Sequence, residues 1–149
     1  MMSSRTVFAA ACGVVGALAI AVVAASAAGT AVADRQAAMK SMGADMKAAS
    51  GAITPYDAAK ARSAMDSLAG EAKKLKGLFP NDSASDPKSA ADPKIWTNKA
   101  DFDKRLDALA AAASAAGKAK DGDAFKAAFK PVGDSCKSCH DVYRMKKKG

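Results

Sequence analysis

Cys136-Lys137-Ser138-Cys139-His140 is the stretch whose residue types and spacing define a chemistry. C-x-x-C-H is the attachment pattern of a c-type haem: two thiols add across the two haem vinyl groups, and the adjoining imidazole ligates iron from the proximal side. On a helix the geometry works. Cys136 and Cys139 are then i and i+3, Cys136 and His140 are i and i+4, and all three share one face. His140 is the only histidine in the chain, so no other imidazole competes for that role.

Other uses of the motif fit less well. A structural zinc site needs four ligands, and the one further cysteine, Cys12, lies in an apolar leader. A thioredoxin-like pair needs a βαβ context, and no strand-like segment stands near it. One covalent haem per chain is therefore expected. No acid/base pair, nucleophile constellation or second metal cluster accompanies it, so an enzyme is not expected.

The elements that must position this motif begin after a leader. Met1 to Arg5 is short and basic, and no charge follows from Thr6 to Ala33. Ala31-Val32-Ala33 before Asp34 is a small-x-small cleavage pattern, and residues 1–33 read as a secretory signal peptide. An uncleaved anchor is the alternative, since the uncharged run is long enough to span a membrane. Cys12 lies too early in the run for a lipoprotein acceptor. Export agrees with the haem reading, because bacteria attach haem c outside the cytoplasm, and it places the mature domain, residues 34–149, in the periplasm with no stable membrane anchor after cleavage.

Four helices and no convincing strand are expected in that domain. The first spans about Asp34 to Ser50, with Met39, Met42 and Met46 at i, i+3 and i+7 and Gly51 as its stop. The second opens at Thr54-Pro55-Tyr56-Asp57, with Thr54 as cap and Pro55 in the first turn, and runs through Met65, Leu68, Ala72 and Leu75 to about Phe79. A long polar loop follows to Asp92. The third starts around Pro93 to Thr97 and buries Phe102, Leu106, Leu109 and Ala113, with Gly117 near its end. The fourth follows Asp121-Gly122-Asp123 and carries Phe125, Phe129 and Val132 toward Cys136. Pro131 within it is expected to kink or interrupt the helix. Short or medium connections and one longer loop make this all-α chain an antiparallel four-helix bundle around a covalently bound haem.

Composition fits such a bundle. Half of the 149 residues are hydrophobic and only 5% are aromatic. Alanine favours helix but buries little area, so a large apolar cofactor would add much to the core. Formal charge is +8, of which Arg5 is the leader's share. A basic domain steers toward acidic partners. Nucleic acid is a poor partner, since the lysines are dispersed, without aromatic interleaving or a binding motif.

The motif's position near the C-terminus of a four-helix pattern resembles the class II cytochromes c: cytochrome c-prime and its low-spin, six-coordinate relatives. The resemblance spans the whole mature chain. It is carried by Arg35 to Lys40, Pro55-Tyr56-Asp57, Leu78-Phe79-Pro80, Lys94-Ile95-Trp96, and Val132 through Arg144. It implies that Cys136 and Cys139 hold the haem and that His140 is the proximal ligand with Arg144 beside it. It also implies that Arg35 and Gln36 meet haem edges or propionates and that Phe79 lines the distal pocket. Each of these has a plainer reading: a solvated face for Arg35 and Gln36, core packing for Phe79, and a helix-terminal charge for Arg144. The resemblance sets Met39 over the distal face, where a methionine ligates iron in six-coordinate members and does not in others. Many relatives are homodimers through their first two helices.

Two functions follow. One is a soluble electron carrier serving an unidentified redox partner, with His/Met ligation raising the potential. The other is a five-coordinate haem protein that binds nitric oxide or carbon monoxide in an apolar pocket. Pro55-Tyr56-Asp57 and Pro131 resemble the six-coordinate relatives and favour the carrier.

Overall fold

The computed structural model describes residues 18–146, with side chains from residue 29 onward. The basic start and Cys12 lie outside the described residues. Five helices follow in order: α1 Leu18–Ser50, α2 Ala58–Leu75, α3 Lys94–Thr97, α4 Lys99–Ala116 and α5 Gly122–Tyr143. The single turn α3 leads into α4, so four long helices make the bundle.

Periodicity dictates the core. Ala61, Ala64, Met65, Leu68, Ala72 and Leu75 are the buried stripe of α2. Phe102, Leu106, Leu109 and Ala113 are that of α4, as their spacing required. On α1, Ala38, Met42 and Ala49 turn inward. In this bundle α1 packs on α2, α2 on α4 and α4 on α5. Fully buried Phe125 stacks on half-buried Phe129 at 5.6 Å between centroids.

Several boundaries differ from expectation. The first helix is continuous from Leu18 across the expected cleavage point. The second starts at Ala58 and ends at Leu75, inside the expected span. Its cap is Asp57, whose carboxylate accepts from the Lys60 amide at 2.9 Å; a carboxylate one residue before the helical turns satisfies an orphan N–H that Thr54 is too far away to reach. The third helix is broken at Asn98, which leaves helical geometry between α3 and α4.

Pro131 does not interrupt α5, which is helical on both sides of it. The proline is exposed, so the carbonyl that loses its N–H partner can turn to water. Val132 and Tyr143 are buried and hold the helix beyond the proline against α4. Tertiary packing overrides the local cost.

The loop before α3 contains a 3-10 turn, Asn81–Ser83. It returns to pair with the chain just past α5: Ala91 and Arg144 form an isolated antiparallel bridge. The Asp92 amide donates to the Tyr143 carbonyl and the Met145 amide to the Ala90 carbonyl, both at 2.9 Å. This loop therefore ties the C-terminal end of the motif helix to the body of the bundle.

Candidate functional site

The motif sits on the last turns of α5, where its i, i+3, i+4 spacing puts the three residues on one face. Cys136 and Cys139 are half-buried free thiols packed against the core. Burial pushes both thiols up from their ordinary range; for Cys139 the Arg105 guanidinium opposes this. His140 opens toward solvent yet has enough apolar surroundings that burial lowers its pKa, with Arg144 adding to the fall and Asp141 opposing it. A neutral imidazole with a free lone pair is the form that ligates a metal.

Beside the motif lies a cavity of about 490 Å³, within the roughly 300–1,000 Å³ range of small-molecule and cofactor pockets. Cys139, His140, Tyr143 and Arg144 form its α5 wall. Val32, Arg35, Gln36, Met39 and Lys40 form its α1 wall. Phe79, Ile95 and Phe102 close its apolar floor, and Ser89 to Ala91 one side. The first and last long helices thus face one another across it.

These residues fit a haem. Two thiols lie on one face of a helix with an imidazole one residue on, beside apolar walls. Cations at Lys40 and Arg144 would meet carboxylates at the edge. Among the described residues no group of three His, Cys, Asp or Glu side chains could hold a metal ion as a protein-only site. A structural zinc site therefore has no ligand set here.

The structure brings seven of the eight expected site residues to the cavity wall: Arg35, Gln36, Met39, Phe79, Cys139, His140 and Arg144. Cys136 is one turn back on the same face of α5. Met39 is 36% exposed, whereas Met42 is buried in the core, so the methionine stripe divides between cavity and packing.

Arg35 is not on a solvated face. It is buried, and its guanidinium donates to the Leu78 carbonyl at 3.1 Å, Ser83 Oγ at 2.9 Å, the Ser83 carbonyl at 3.3 Å and Ser89 Oγ at 2.9 Å. It also lies 4.8 Å from the Phe79 ring centroid. Burial lowers its pKa and Asp86 raises it. Gln36 is exposed and donates to the Lys88 carbonyl at 2.9 Å. Two consecutive α1 residues thereby hold the loop that walls the cavity. Phe79 is both core and wall: it packs edge-on against Phe102 at 4.7 Å and lines the cavity.

Sequence reading missed Tyr143, Asp101 and Arg105. Tyr143 is buried, and its hydroxyl donates to Asp101 Oδ2 at 2.6 Å. Arg105 Nε donates to the same oxygen at 2.7 Å, and Arg105 Nη1 to the Ser138 carbonyl at 3.3 Å. The i+3 spacing of Tyr143 from His140 was the available signal. Ser83 and Ser89 gave none, since nothing marks a loop serine as a partner of a distant arginine.

Comparison with known proteins agrees with this geometry. The chain is 42% identical over 120 residues to cytochrome c' of Rhodopseudomonas palustris, covering 78% of this chain and 82% of that protein. The solved structure of cytochrome c' from Rhodopseudomonas palustris superposes with a TM-score of 0.73 at 41% identity, over 79% of this chain and 98% of that one. A ferrous variant of cytochrome c prime from Alcaligenes xylosoxidans with bound NO superposes with a TM-score of 0.69 at 32% identity, over 78% and 94%. The profile of the cytochrome c' family matches residues 30–144. With its C-x-x-C-H helix, four-helix frame and matching profile, the chain belongs to the cytochrome c' family and is a covalent haem c protein.

Proposed function

We propose that the chain is an exported, periplasmic electron carrier in which His140 and Met39 would hold the haem iron between them. One observation carries this reading: His140 on α5 and Met39 on α1 line the same cavity from opposite helices. Haem c supplies one-electron chemistry between two iron oxidation states when bound. The remaining work falls to the chain. Cys136 and Cys139 anchor the group, and His140 offers a neutral nitrogen. Met39 offers a soft thioether, whose ligation raises the potential. Phe79, Ile95 and Phe102 keep water from the floor, Lys40 and Arg144 would orient the carboxylate edge, and Arg35 and Gln36 hold the loop beside it. The exposed cations at the rim, Lys40 and Arg144, suit an acidic redox partner. Export is supported by the apolar leader and by the family match beginning at residue 30. Among the described residues no helix is long and apolar enough to cross a membrane.

Binding of nitric oxide or carbon monoxide is the second reading. It is favoured by the NO-bound Alcaligenes neighbour and by the exposure of Met39, which the core does not bury. Homodimerisation through α1 and α2 belongs to either reading and would appear as a doubled mass in size-exclusion chromatography.

The test is the ferric absorption spectrum at neutral pH. A ligating Met39 gives a low-spin spectrum that turns high-spin in Met39→Ala, with tighter carbon monoxide binding because no internal ligand competes. A wild-type spectrum that is fully high-spin removes the carrier reading and leaves gas binding.

A further inference from the structure

We propose that Asp101 and Arg105, one turn apart on α4, are positioning residues that brace the haem-bearing turn of α5 and shift the haem's reduction potential in opposite directions. The proposal rests on haem attachment at Cys136 and Cys139.

The brace grips α5 at two points on either side of His140. Upstream, Arg105 Nη1 donates to the carbonyl of Ser138, which lies between the two cysteines, at 3.3 Å. Downstream, Asp101 Oδ2 accepts from the Tyr143 hydroxyl at 2.6 Å. The two grips are one unit, because Arg105 Nε donates to the same Asp101 oxygen at 2.7 Å and the guanidinium carbon lies 5.7 Å from the Tyr143 ring centroid. Tyr143 is itself a buried wall of the cavity. A helix held two residues before and three residues after His140 cannot rotate or tilt that imidazole freely. Sharing one carboxylate oxygen makes each grip depend on the other.

The same pair carries charge. Reduction removes one positive charge from the haem, so a nearby guanidinium favours the reduced form and a nearby carboxylate the oxidised form. The two side chains are ion-paired, so their effects on the haem oppose one another. Both side chains are about one-third exposed, 33% for Arg105 and 36% for Asp101, so solvent and salt attenuate each effect without abolishing it.

This opposition makes the proposal testable by sign. Holo protein is prepared for the wild type, Arg105→Gln, Asp101→Asn, the double variant and Arg105→Lys. Mass spectrometry first confirms one retained haem, and spectroelectrochemical titration then gives each potential. Arg105→Gln is expected to lower the potential and Asp101→Asn to raise it, each by up to about tenfold in the reduced-to-oxidised ratio, or about 59 mV for one electron. The double variant returns close to wild type, Arg105→Lys stays close to it, and added salt shrinks both single shifts. A merely structural role loosens the site in either single variant and moves both potentials the same way. Shifts of the same sign, or none in either variant, overturn the proposal. Should Arg105→Gln fail to retain haem, a potential in Asp101→Asn that falls or stays unchanged overturns it alone. A wild type lacking covalent haem is a different failure, that of the attachment reading.

Discussion

Replacing Arg35 with methionine tests whether a buried charge or the cofactor holds the loop that walls the cavity. The substitution keeps the apolar stem and removes the guanidinium. Four hydrogen bonds from a cation are lost, to the Leu78 carbonyl, both oxygens of Ser83, and Ser89 Oγ. Hydrogen bonds to charged groups contribute about 1.5–3 kcal/mol each in isolation. Here all four share one guanidinium, so they do not add, and Ser83 Oγ keeps its bond to the Pro80 carbonyl at 2.7 Å. Removing the guanidinium also relieves its desolvation, the dominant cause of its lowered pKa. The net loss is about 3 kcal/mol, or roughly 10 °C in melting temperature for a domain of this size. Chemical denaturation of the holo protein, followed by circular dichroism and haem absorbance, measures it. Ser83→Ala supplies the second arm: it should destabilise the wild type more than the Arg35→Met background, where only the bond to Pro80 is left to lose. A loss below about 1 kcal/mol in Arg35→Met, or equal Ser83→Ala costs in both backgrounds, would refute the assignment of loop anchoring to Arg35.

Further outcomes follow from the same structure. Cys136→Ala with Cys139→Ala should abolish haem retention after denaturation; mass spectrometry showing retained haem contradicts attachment at these thiols. A mature chain prepared without haem should be molten, with broad unfolding and dye binding, since its alanine-rich faces bury little area; cooperative unfolding at holo-like stability argues against the cofactor as part of the core. Asp101 is held below its ordinary pKa of 3.8, first by the Tyr143 hydrogen bond and then by Arg105. A depressed carboxylate contributes stability that is full above its unfolded pKa and is lost as pH falls through the folded one. Acid titration should therefore show a steeper loss of stability below about pH 4 in the wild type than in Asp101→Asn; identical slopes contradict this.

Much of this was legible in the sequence because the signals were local. A C-x-x-C-H run carries its own geometry, and the stripes on α2 and α4 repeat at helical spacing, so the site helix and the inner faces could be read directly. Pro131 misled because its cost is local while its compensation, the burial of Val132 and Tyr143 against α4, is tertiary. Arg35 illustrates the other failure. Its family match pointed to the cavity, where it lies, but its partners Ser83 and Ser89 sit 48 and 54 residues away along the chain. No pattern marks a contact made by one long side chain folding a polar loop around itself. Arg105 was unreadable for the same reason, since its partner is a backbone carbonyl 33 residues away.

The packing order of the helices has a consequence for assembly in time. Each long helix lies mainly on its neighbour in sequence, α1 on α2, α2 on α4 and α4 on α5, so those contacts need only short chain closures and should form early. The walls of the cavity join the beginning of the domain to its end, Met39 to His140, and closing that span costs the most chain entropy. This seam should therefore seal last. Until it does, Cys136 and Cys139 remain open to whatever machinery delivers the cofactor, although the finished domain half-buries both. Pulsed hydrogen exchange during refolding of the holo protein would show the amides of the α2–α4 core protected before those of α1 and the last turns of α5, and the reverse order would overturn this.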